Sequence, residues 1–412
     1  MNIHKKTSLS IIIIFCIHLS LFQQLHAEAL HFIAYGDTRG NIDTMEKPQI
    51  KHDTIAKVIR GRTPDIILFS GDMVYYNEFE KFTEVVRNNY TKDKPIPFYP
   101  VIGNHELIFG NKIDALMKEL LSKIKNHEEN TKSAHSSHTE TPPVSLEMEK
   151  IRDEIFNEIY SIPEEKLKER SRQVLEREFM DKLAPEYPGY LKETFKSATR
   201  HQSWYSFIKE TDGHKIKFIA LNSSLPDDTE QYQWFLRELK EFNGPKIVCT
   251  HYPPYTIGFH GCSDILDKTS PLARFRNRYA KVFNEPSNNI IMVISGHDHN
   301  YQRICKTDTK GNVQLPVYII SGGGGAHLSG RGECDITQIP LDDFKCAIFE
   351  TAYQFFDVTV LAENEKSLIF NCAVLGIKCD LTKELPDDAS FKTLFVKEKL
   401  QVIDRFSIAW QK

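Results

Sequence analysis

The sequence predicts an α/β protein in which two sheets pack face to face and helices cover their outer faces. Three observations support this prediction. Five short apolar runs each end at a motif rich in Gly, Asp, Asn or His. Strand-like and helix-like patterns alternate in the second half of the chain, and three long strand-like runs close it. Because the five motifs extend from Asp37 to His299, they indicate one large core.

The five apolar runs have the length and the flanking turn residues of buried strands. In chain order they are LHFIAY, DIILFS, PFYPVI, KIVCT and NIIMVIS. The motifs that follow them are Gly36-Asp37-Thr38-Arg39, Gly71-Asp72-Met73-Val74-Tyr75, Gly103-Asn104-His105-Glu106, His251-Tyr252-Pro253-Pro254 and Gly296-His297-Asp298-His299. In α/β sheets, ligands bind where strands end and loops begin. We therefore expect the polar side chains of the five motifs to meet at one place.

The composition changes between Asn111 and Thr199, where charged residues dominate. The stretches MEKIRDEIFNEIY and LKERSRQVLEREFMDKL place apolar residues three and four positions apart, which predicts helices. The segment 111–199 directly follows the third motif, so we expect a helical insertion that caps the site. Its polar middle, Asn126 to Pro143, predicts a flexible loop.

The remaining elements complete the two sheets. SWYSFIKE and KIKFIALNS predict neighbouring strands joined across Asp212-Gly213, and EQYQWFLRELKEF predicts a helix before the strand that leads to His251. FFDVTVL, KSLIFNCAVL and KLQVIDRFSIAW predict the closing strands. The expected fold is a four-layer α/β/β/α sandwich of two packed mixed sheets plus a helical insertion.

The ordered set of five motifs resembles that of the calcineurin-like metallophosphoesterases, and most closely that of the purple acid phosphatases. Each motif alone is a weak signal, but five in order, each after a strand-like run, make coincidence improbable. The resemblance extends from Leu30 past Gly325. It implies two metal ions at the strand ends, about 3.5 to 4 Å apart, and hydrolysis of phosphate esters by a metal-activated hydroxide.

The resemblance also implies which residues bind the two ions. Asp37, Asp72, Tyr75 and His299 would hold the first ion, and Asp72, Asn104, His251 and His297 the second. Asp72 would then bridge the ions and is counted among the catalytic residues, since an anionic oxygen must offset the repulsion between two dications. Histidine and carboxylate ligands suit zinc, iron and manganese better than calcium or magnesium.

Arg39 stands where many relatives have a metal-binding histidine, and a guanidinium cannot coordinate a metal. Purple enzymes use a tyrosine three residues after the bridging Asp, where Tyr75 stands. Because a phenol has a pKa of about 10, phenolate binding favours Fe³⁺ at this site, with Fe²⁺, Zn²⁺ or Mn²⁺ at the other. The alternative for Tyr75 is an aromatic ring packed under the sheet. Arg39 either clamps the substrate phosphate or pairs with a nearby acid.

Two further histidines are expected to face the substrate. In the family, the histidine at the position of His105 stabilises charge or protonates the leaving oxygen, which makes it a catalytic and substrate-binding candidate. A purely structural role, with the ring bonded to a carboxylate, is the alternative. His260, nine residues after His251, has an offset similar to that of substrate-facing histidines in purple acid phosphatases.

The amino terminus predicts export. Lys5 and Lys6 precede an apolar run that ends near Ala27-Glu28-Ala29, as in a signal peptide. We expect residues 1–29 to be removed and 30–412 to form a periplasmic or secreted domain; an uncleaved membrane anchor is the alternative. The net charge of -4 and pI near 6.5 disfavour a nucleic-acid surface. The expected partner is a small-molecule phosphate ester, with no membrane contact after cleavage and no indication of an oligomeric state.

The cysteines are expected to form disulfides in an exported protein. Cys16 lies in the predicted signal, and Cys249, inside an apolar strand, is expected to be buried and free. The remaining six are Cys262, Cys305, Cys334, Cys346, Cys372 and Cys379. They would form three disulfides among 15 possible pairings. Proximity favours Cys334 with Cys346 and Cys372 with Cys379, which leaves Cys262 with Cys305.

The sequence thus predicts an exported phosphomonoesterase of the acid phosphatase type. Two alternatives remain: a phosphodiesterase with the same centre, and a catalytically silent relative that binds metal or a partner through the insertion. The intact ligand set disfavours the silent relative.

Overall fold

The computed structural model describes residues 29–40, 47–134, 146–185 and 203–412. Most of the predicted signal peptide, residues 1–28, lies outside the described residues, as do residues 135–143 of the predicted loop within the insertion. The first part of that predicted loop, residues 126–134, is helical instead, because it continues the helix that begins at Asn111.

The described strands form two sheets. In chain order they are β1 (Leu30–Tyr35), β2 (Ile66–Phe69), β3 (Phe98–Pro100), β4 (Tyr205–Thr211), β5 (His214–Ala220), β6 (Lys246–Cys249), β7 (Ile290–Ser295), β8 (Tyr301–Thr307), β9 (Val313–Ser321), β10 (Lys345–Glu350), β11 (Ala352–Asn364), β12 (Ser367–Lys378) and β13 (Gln401–Gln411). The first sheet has the order β13-β12-β11-β1-β2-β3, and the second has the order β10-β8-β9-β7-β6-β5-β4. Both sheets are mixed. In the first, β1 pairs with β2 in parallel and with β11 antiparallel. In the second, β5 pairs with β6 in parallel and with β4 antiparallel.

The described helices surround the sheets. They are α1 (Ile50–Gly61), α2 (Phe79–Tyr90), α3 (Asn111–Ala134), α4 (Leu146–Tyr160), α5 (Glu164–Gln173), α6 (Asp181–Leu183), α7 (Thr229–Glu241), α8 (Pro271–Phe283) and α9 (Asp388–Leu394), with π-helical turns at Val174–Met180 and Gly261–Ile265. Short 3₁₀ turns lie at His105–Leu107, Pro286–Asn288, Ile336–Gln338 and Lys397–Lys399. Helix α8 begins where sequence rules expect, because Ser270 caps it and Pro271 opens its first turn.

The two sheets pack through aromatic side chains. Phe32 of the first sheet meets Phe218 of the second with ring centroids 5.5 Å apart, and Tyr99 stacks on Phe207 at 3.6 Å. On the outer face of the second sheet, α7 and α8 bury Phe235 and other apolar residues. Helices α1 and α2 bury theirs against the first sheet. This arrangement confirms the predicted four-layer α/β/β/α sandwich.

The described residues of the segment 111–199, which are 111–134 and 146–185, form two parts that differ in what they bury. Helices α3 and α4 form an antiparallel hairpin with its own small cluster, which includes Ile113, Met117 and Ile151. By contrast, Phe179 and Leu183 belong to the main core. Helical spacing predicts that one face of a helix is buried, but it does not show against which partner. The hairpin is therefore the part that stands apart from the core.

The predicted disulfide pattern is wrong. The described cysteines form one disulfide, Cys262–Cys334, which joins residues 72 positions apart. Cys372 lies within β12 and Cys379 directly after it, and seven residues of extended strand span about 23 Å, which no disulfide can bridge. The register pairs Cys305 with Lys345 rather than Cys346, so the side chains of Cys305 and Cys346 face opposite sides of the sheet. Cys249 is buried and free, as predicted.

None of the described helices is both long enough and apolar enough to cross a bilayer.

Candidate metal centre

Five loops from both sheets converge at one edge of the sandwich. Each follows a strand predicted from an apolar run: β1, β2 and β3 of the first sheet, and β6 and β7 of the second. The loops after β1 and β2 pair through their backbones, since Asp37 N donates to Gly71 O over 2.9 Å. The loop after β7 joins the one after β6 where Gly296 N donates to His251 O. The motif residues are therefore held by backbone contacts between neighbouring loops.

Three of the predicted ligands have left-handed backbone conformations. The φ angles are 59° at Asp37, 57° at Asp72 and 72° at His297. A residue with a Cβ in this region costs of order 1 kcal/mol or more, and such residues cluster at functional sites.

Glycines let the loops approach closely. A Cβ on Gly71, which has a φ of 95°, would lie 2.7 Å from His251 Nδ1 and 2.9 Å from Gly103 N. A Cβ on Gly103 would lie 2.3 Å from Asp72 Oδ1. Side chains at these two positions would push the Asp72 loop away from its neighbours.

The four ligands predicted for the second ion converge on one point. His251 Nε2 lies 2.9 Å from Asn104 Oδ1, 3.2 Å from His297 Nδ1 and 3.3 Å from Asp72 Oδ1. An imidazole nitrogen, an amide oxygen and a carboxylate oxygen at such distances can enclose a single cation. The Asp37, Asp72 and His251 side chains also offer ligand atoms that lie within 4.8 Å of one another.

The histidines present unprotonated nitrogens to the cluster. His251 Nδ1 lies 2.8 Å from Ser70 O and His299 Nδ1 lies 2.7 Å from His327 O. A carbonyl oxygen only accepts, so these nitrogens carry the protons, and each Nε2 keeps a lone pair. Burial lowers the pKa of His251, which keeps its imidazole neutral at the pH of most compartments.

The charges of the cluster also fit a metal centre. Asp37 and Asp72 are fully buried side by side, with Arg39 as the nearby cation. Burial and the Asp72 charge raise the pKa of Asp37 well above its ordinary value. Burial opposes ionisation of Asp72 as well, but its pKa stays low, because at the acidic pH where it would take up a proton His251, His105 and Arg39 all carry positive charge. Bound cations would supply the positive charge that lets both buried carboxylates ionise beside a single guanidinium.

The residues predicted for the first ion lie farther apart than those predicted for the second. His299 Nε2 lies 3.6 Å from Asp37 Oδ1. Arg39 lies between the groups, with Nε 3.1 Å from Asp72 Oδ2 and Nη2 3.4 Å from His299 Nε2. Arg39 thus pairs with an acid, one of its two predicted roles. His299 Nε2 cannot accept from Arg39 and bind an ion at the same time.

Tyr75 lies beside this group of residues. Its ring centroid is 5.1 Å from that of His105, and the Arg39 guanidinium lies 5.4 Å from it. The ring also packs against the apolar cluster of the α3–α4 hairpin. Tyr75 therefore connects the hairpin to the loops that carry the predicted ligands.

The two predicted substrate-facing histidines lie in different surroundings. His105 Nδ1 donates to Tyr75 O over 3.0 Å, which leaves Nε2 without a proton in the neutral ring. Burial lowers the pKa of His105 to about 4. His260 stacks on His297 with ring centroids 3.7 Å apart, and its Nδ1 lies 2.6 Å from Asp264 Oδ2.

Glu106, which closes the third motif, has a structural role that the motif pattern does not predict. Its buried carboxylate accepts from Gly103 N at 2.6 Å and from Met73 N at 2.7 Å. It also accepts from Asp72 N at 3.1 Å and Val74 N at 3.3 Å. Glu106 thus joins the Asp72 loop to the Asn104 loop. An acid directly after Asn-His, within an otherwise apolar surrounding, was the available signal.

A protein-family model matches most of the chain. The family model for calcineurin-like phosphoesterases matches residues 30–301 of the chain. No curated protein matches it.

Two solved structures match the chain. One is a purple acid phosphatase isolated from yellow lupin (Lupinus luteus) seeds, with a TM-score of 0.50, 15% sequence identity, and coverage of 93% of this chain and 54% of that chain. The chain thus spans about half the length of the lupin enzyme. The other is a structure of PhoD, with a TM-score of 0.43, 12% identity, and coverage of 93% of this chain and 70% of that chain.

Proposed function

The chain belongs to the calcineurin-like phosphoesterase family, and on that basis we propose that it is a phosphomonoesterase of the acid phosphatase type with two metal ions. The observation that carries this proposal is the convergence of Asp72, Asn104 and His297 around His251 Nε2, within 3.3 Å. A silent relative that only binds a partner through the insertion would have no need to keep these donor types together at the strand ends.

We propose Asp37, Asp72, Tyr75 and His299 for the first ion and Asp72, Asn104, His251 and His297 for the second. When bound, such ions activate water as a nucleophile and neutralise charge on the phosphate oxygens. The protein supplies a buried, preorganised pocket around them. Its histidines are already in the tautomers that metal binding requires, because carbonyl and carboxylate oxygens hold the opposite ring nitrogens.

Hydrolysis of two aryl esters tests the function. The protein, loaded with metal, is expected to release nitrophenol from p-nitrophenyl phosphate faster than from bis(p-nitrophenyl) phosphate. Dialysis against a chelator should abolish the activity, and added metal should restore it. Faster hydrolysis of the bis ester would identify a phosphodiesterase, and hydrolysis of neither ester would favour the silent relative.

We propose that Arg39 also binds the substrate phosphate. Because His299 Nε2 cannot serve both Arg39 and an ion, loading the first site frees a guanidinium N–H group beside the centre. A hydrogen bond to a charged group contributes about 1.5–3 kcal/mol. Arg39→Gln is therefore expected to raise KM for the aryl phosphate about tenfold or more, measured by steady-state kinetics. Arg62→Gln, at the carboxyl end of α1 where Arg62 pairs with Asp357, serves as a control; equal KM values for all three proteins would contradict this role.

We further propose Fe³⁺ at the Tyr75 site, with Fe²⁺, Zn²⁺ or Mn²⁺ at the second. A phenolate bound to Fe³⁺ gives a broad visible absorption, so the purified protein is expected to be pink to purple. Tyr75→Phe keeps the ring that contacts His105 but removes the phenol, and should abolish the colour. Tyr76→Phe, which removes a hydroxyl bonded to Asp114, is the matched control. A colourless, fully active protein unaffected by Tyr75→Phe would place it outside the purple branch.

The α3–α4 hairpin is proposed to act as a cap that selects substrates. Its apolar cluster includes Tyr75 and lies outside the main core, and contact between Lys112 and Glu158 brings its two ends together. Replacing residues 111–160 with a short Gly-Ser linker is expected to retain hydrolysis of the small aryl phosphate while changing relative rates on larger esters. The measurement is a panel of phosphate esters of increasing size. Unchanged relative rates across the panel would reject the cap.

Export is proposed from the predicted signal peptide, and the Cys262–Cys334 disulfide supports it, since disulfides persist in oxidising compartments. Amino-terminal sequencing of the mature protein is expected to begin near Glu28 or Leu30. A mature chain that retains Lys5 and Lys6 would contradict cleavage.

A further inference from the structure

Asp264 lies outside the five motifs, and its carboxylate contacts the candidate centre. It lies in the π-helical turn Gly261–Ile265. Its Oδ2 atom lies 2.6 Å from His260 Nδ1 and 3.1 Å from His297 Nε2. One carboxylate oxygen thus contacts two imidazoles.

These contacts fix the orientation of both rings. An ionised carboxylate only accepts, so Asp264 requires a proton on His297 Nε2 and leaves His297 Nδ1 free to face His251 Nε2, 3.2 Å away. His260 stacks on His297 with an interplanar angle of 28° and a centroid distance of 3.7 Å. A shift of Asp264 would therefore move a predicted metal ligand and a predicted substrate-facing residue together.

The turn that carries Asp264 is anchored on its other side. Cys262, two residues away, forms the disulfide with Cys334. His260 N donates to Asp298 Oδ1 over 3.1 Å, so the start of the turn is tied to the loop after β7. The bond to Cys334 fixes the turn to a segment 72 residues away in the chain.

We infer that Asp264 is a positioning residue of the metal centre: through one oxygen it orients His297 toward the second ion and holds His260 against it, while the Cys262–Cys334 disulfide fixes the turn that carries it. The inference rests on the proposed function for the presence of the ion. Its test measures ion binding, so it can fail or succeed independently of hydrolysis.

Titration of the full chain with Co²⁺ tests this inference, because the visible absorption of Co²⁺ reports ligand geometry. Asp264→Asn keeps the size of the side chain but removes its charge, and a neutral amide oxygen is a weaker acceptor for two imidazole N–H groups than a carboxylate oxygen. We expect Co²⁺ affinity at one site to fall about 10–100-fold and the absorption of that site to change. Asp267→Asn, an exposed acid three residues further along, should match the wild type.

Two further variants complete the test. Asp264→Glu keeps the charge and should recover part of the lost affinity, which a merely space-filling role would not require. The double variant Cys262→Ser with Cys334→Ser should weaken Co²⁺ binding at the same site by a smaller factor. If Asp264→Asn does not fold, the double variant decides, and wild-type affinity and absorption would overturn the inference. For a folded Asp264→Asn, wild-type Co²⁺ binding would also overturn it.

The result separates the inference from the proposed function. A protein whose Co²⁺ binding depends on Asp264 but which hydrolyses no phosphate ester would disprove the function and retain the positioning role.

Discussion

Asp72→Asn is expected to lose nearly all phosphatase activity while the protein stays folded. Asp72 is 1% exposed, and its carboxylate lies 3.1 Å from Arg39 Nε and 3.3 Å from His251 Nε2. An amide of the same size cannot supply the negative charge that two adjacent cations require. If this charge contributes about 4 kcal/mol to transition-state stabilisation, the loss in kcat is about 1,000-fold.

The experiment measures metal content and turnover on the same purified sample. The folded variant should retain fewer than two ions per chain after gel filtration. Asp65→Asn changes an exposed acid directly before the first residue of β2, at the end of the strand away from the centre, and should behave as wild type. Two tightly bound ions with ordinary turnover in Asp72→Asn would remove Asp72 from the bridging position.

Glu106→Gln is expected to produce the largest loss of stability among the variants considered. The carboxylate accepts from four backbone N–H groups of two loops, and Gly103 N and Met73 N are the closest donors. The amide nitrogen of Gln would face some of these donors, and each buried N–H left without an acceptor costs about 1–3 kcal/mol. We expect the free energy of unfolding to fall by roughly 3 kcal/mol or more.

Urea unfolding of the metal-free proteins separates this effect from metal binding. Glu84→Gln, at an exposed position of α2, provides the matched control and should leave the unfolding midpoint unchanged. The Glu106 variant should also bind metal more weakly, because the loops that carry Asp72 and Asn104 lose their common acceptor. An unchanged midpoint would mean that water or another group satisfies the four N–H groups.

The strands that lead to the centre could be predicted from the sequence, because each is a short apolar run that ends at a glycine or at a polar turn. The predicted strand LHFIAY, for example, has the same first and last residues as β1. Such patterns are local, and backbone sterics at the turn reinforce them. The four-layer arrangement followed, since apolar strands in this number must be covered on both faces.

The features that the sequence did not reveal depend on contacts between distant segments. Cys262 pairs with Cys334 rather than with a cysteine nearer in sequence to either, because the fold brings those two loops together. Glu106 binds backbone N–H groups of a loop more than 30 residues earlier, and such contacts leave no periodic pattern. Asp264 acts through two histidines that only the tertiary structure places beside it.

The candidate centre draws its side chains from both sheets, and this has a consequence for folding. Asp72 and Asn104 come from the first sheet, whereas His251 and His297 come from the second. An ion held by all four is therefore a cross-link between the sheets and binds only after they have docked. Free metal at 1,000 times its dissociation constant adds about 4 kcal/mol to the free energy of unfolding. Metal loading would then be the last step of folding, and removal of the metal should lower the free energy of unfolding by about this amount while the aromatic contacts between the sheets keep the protein folded.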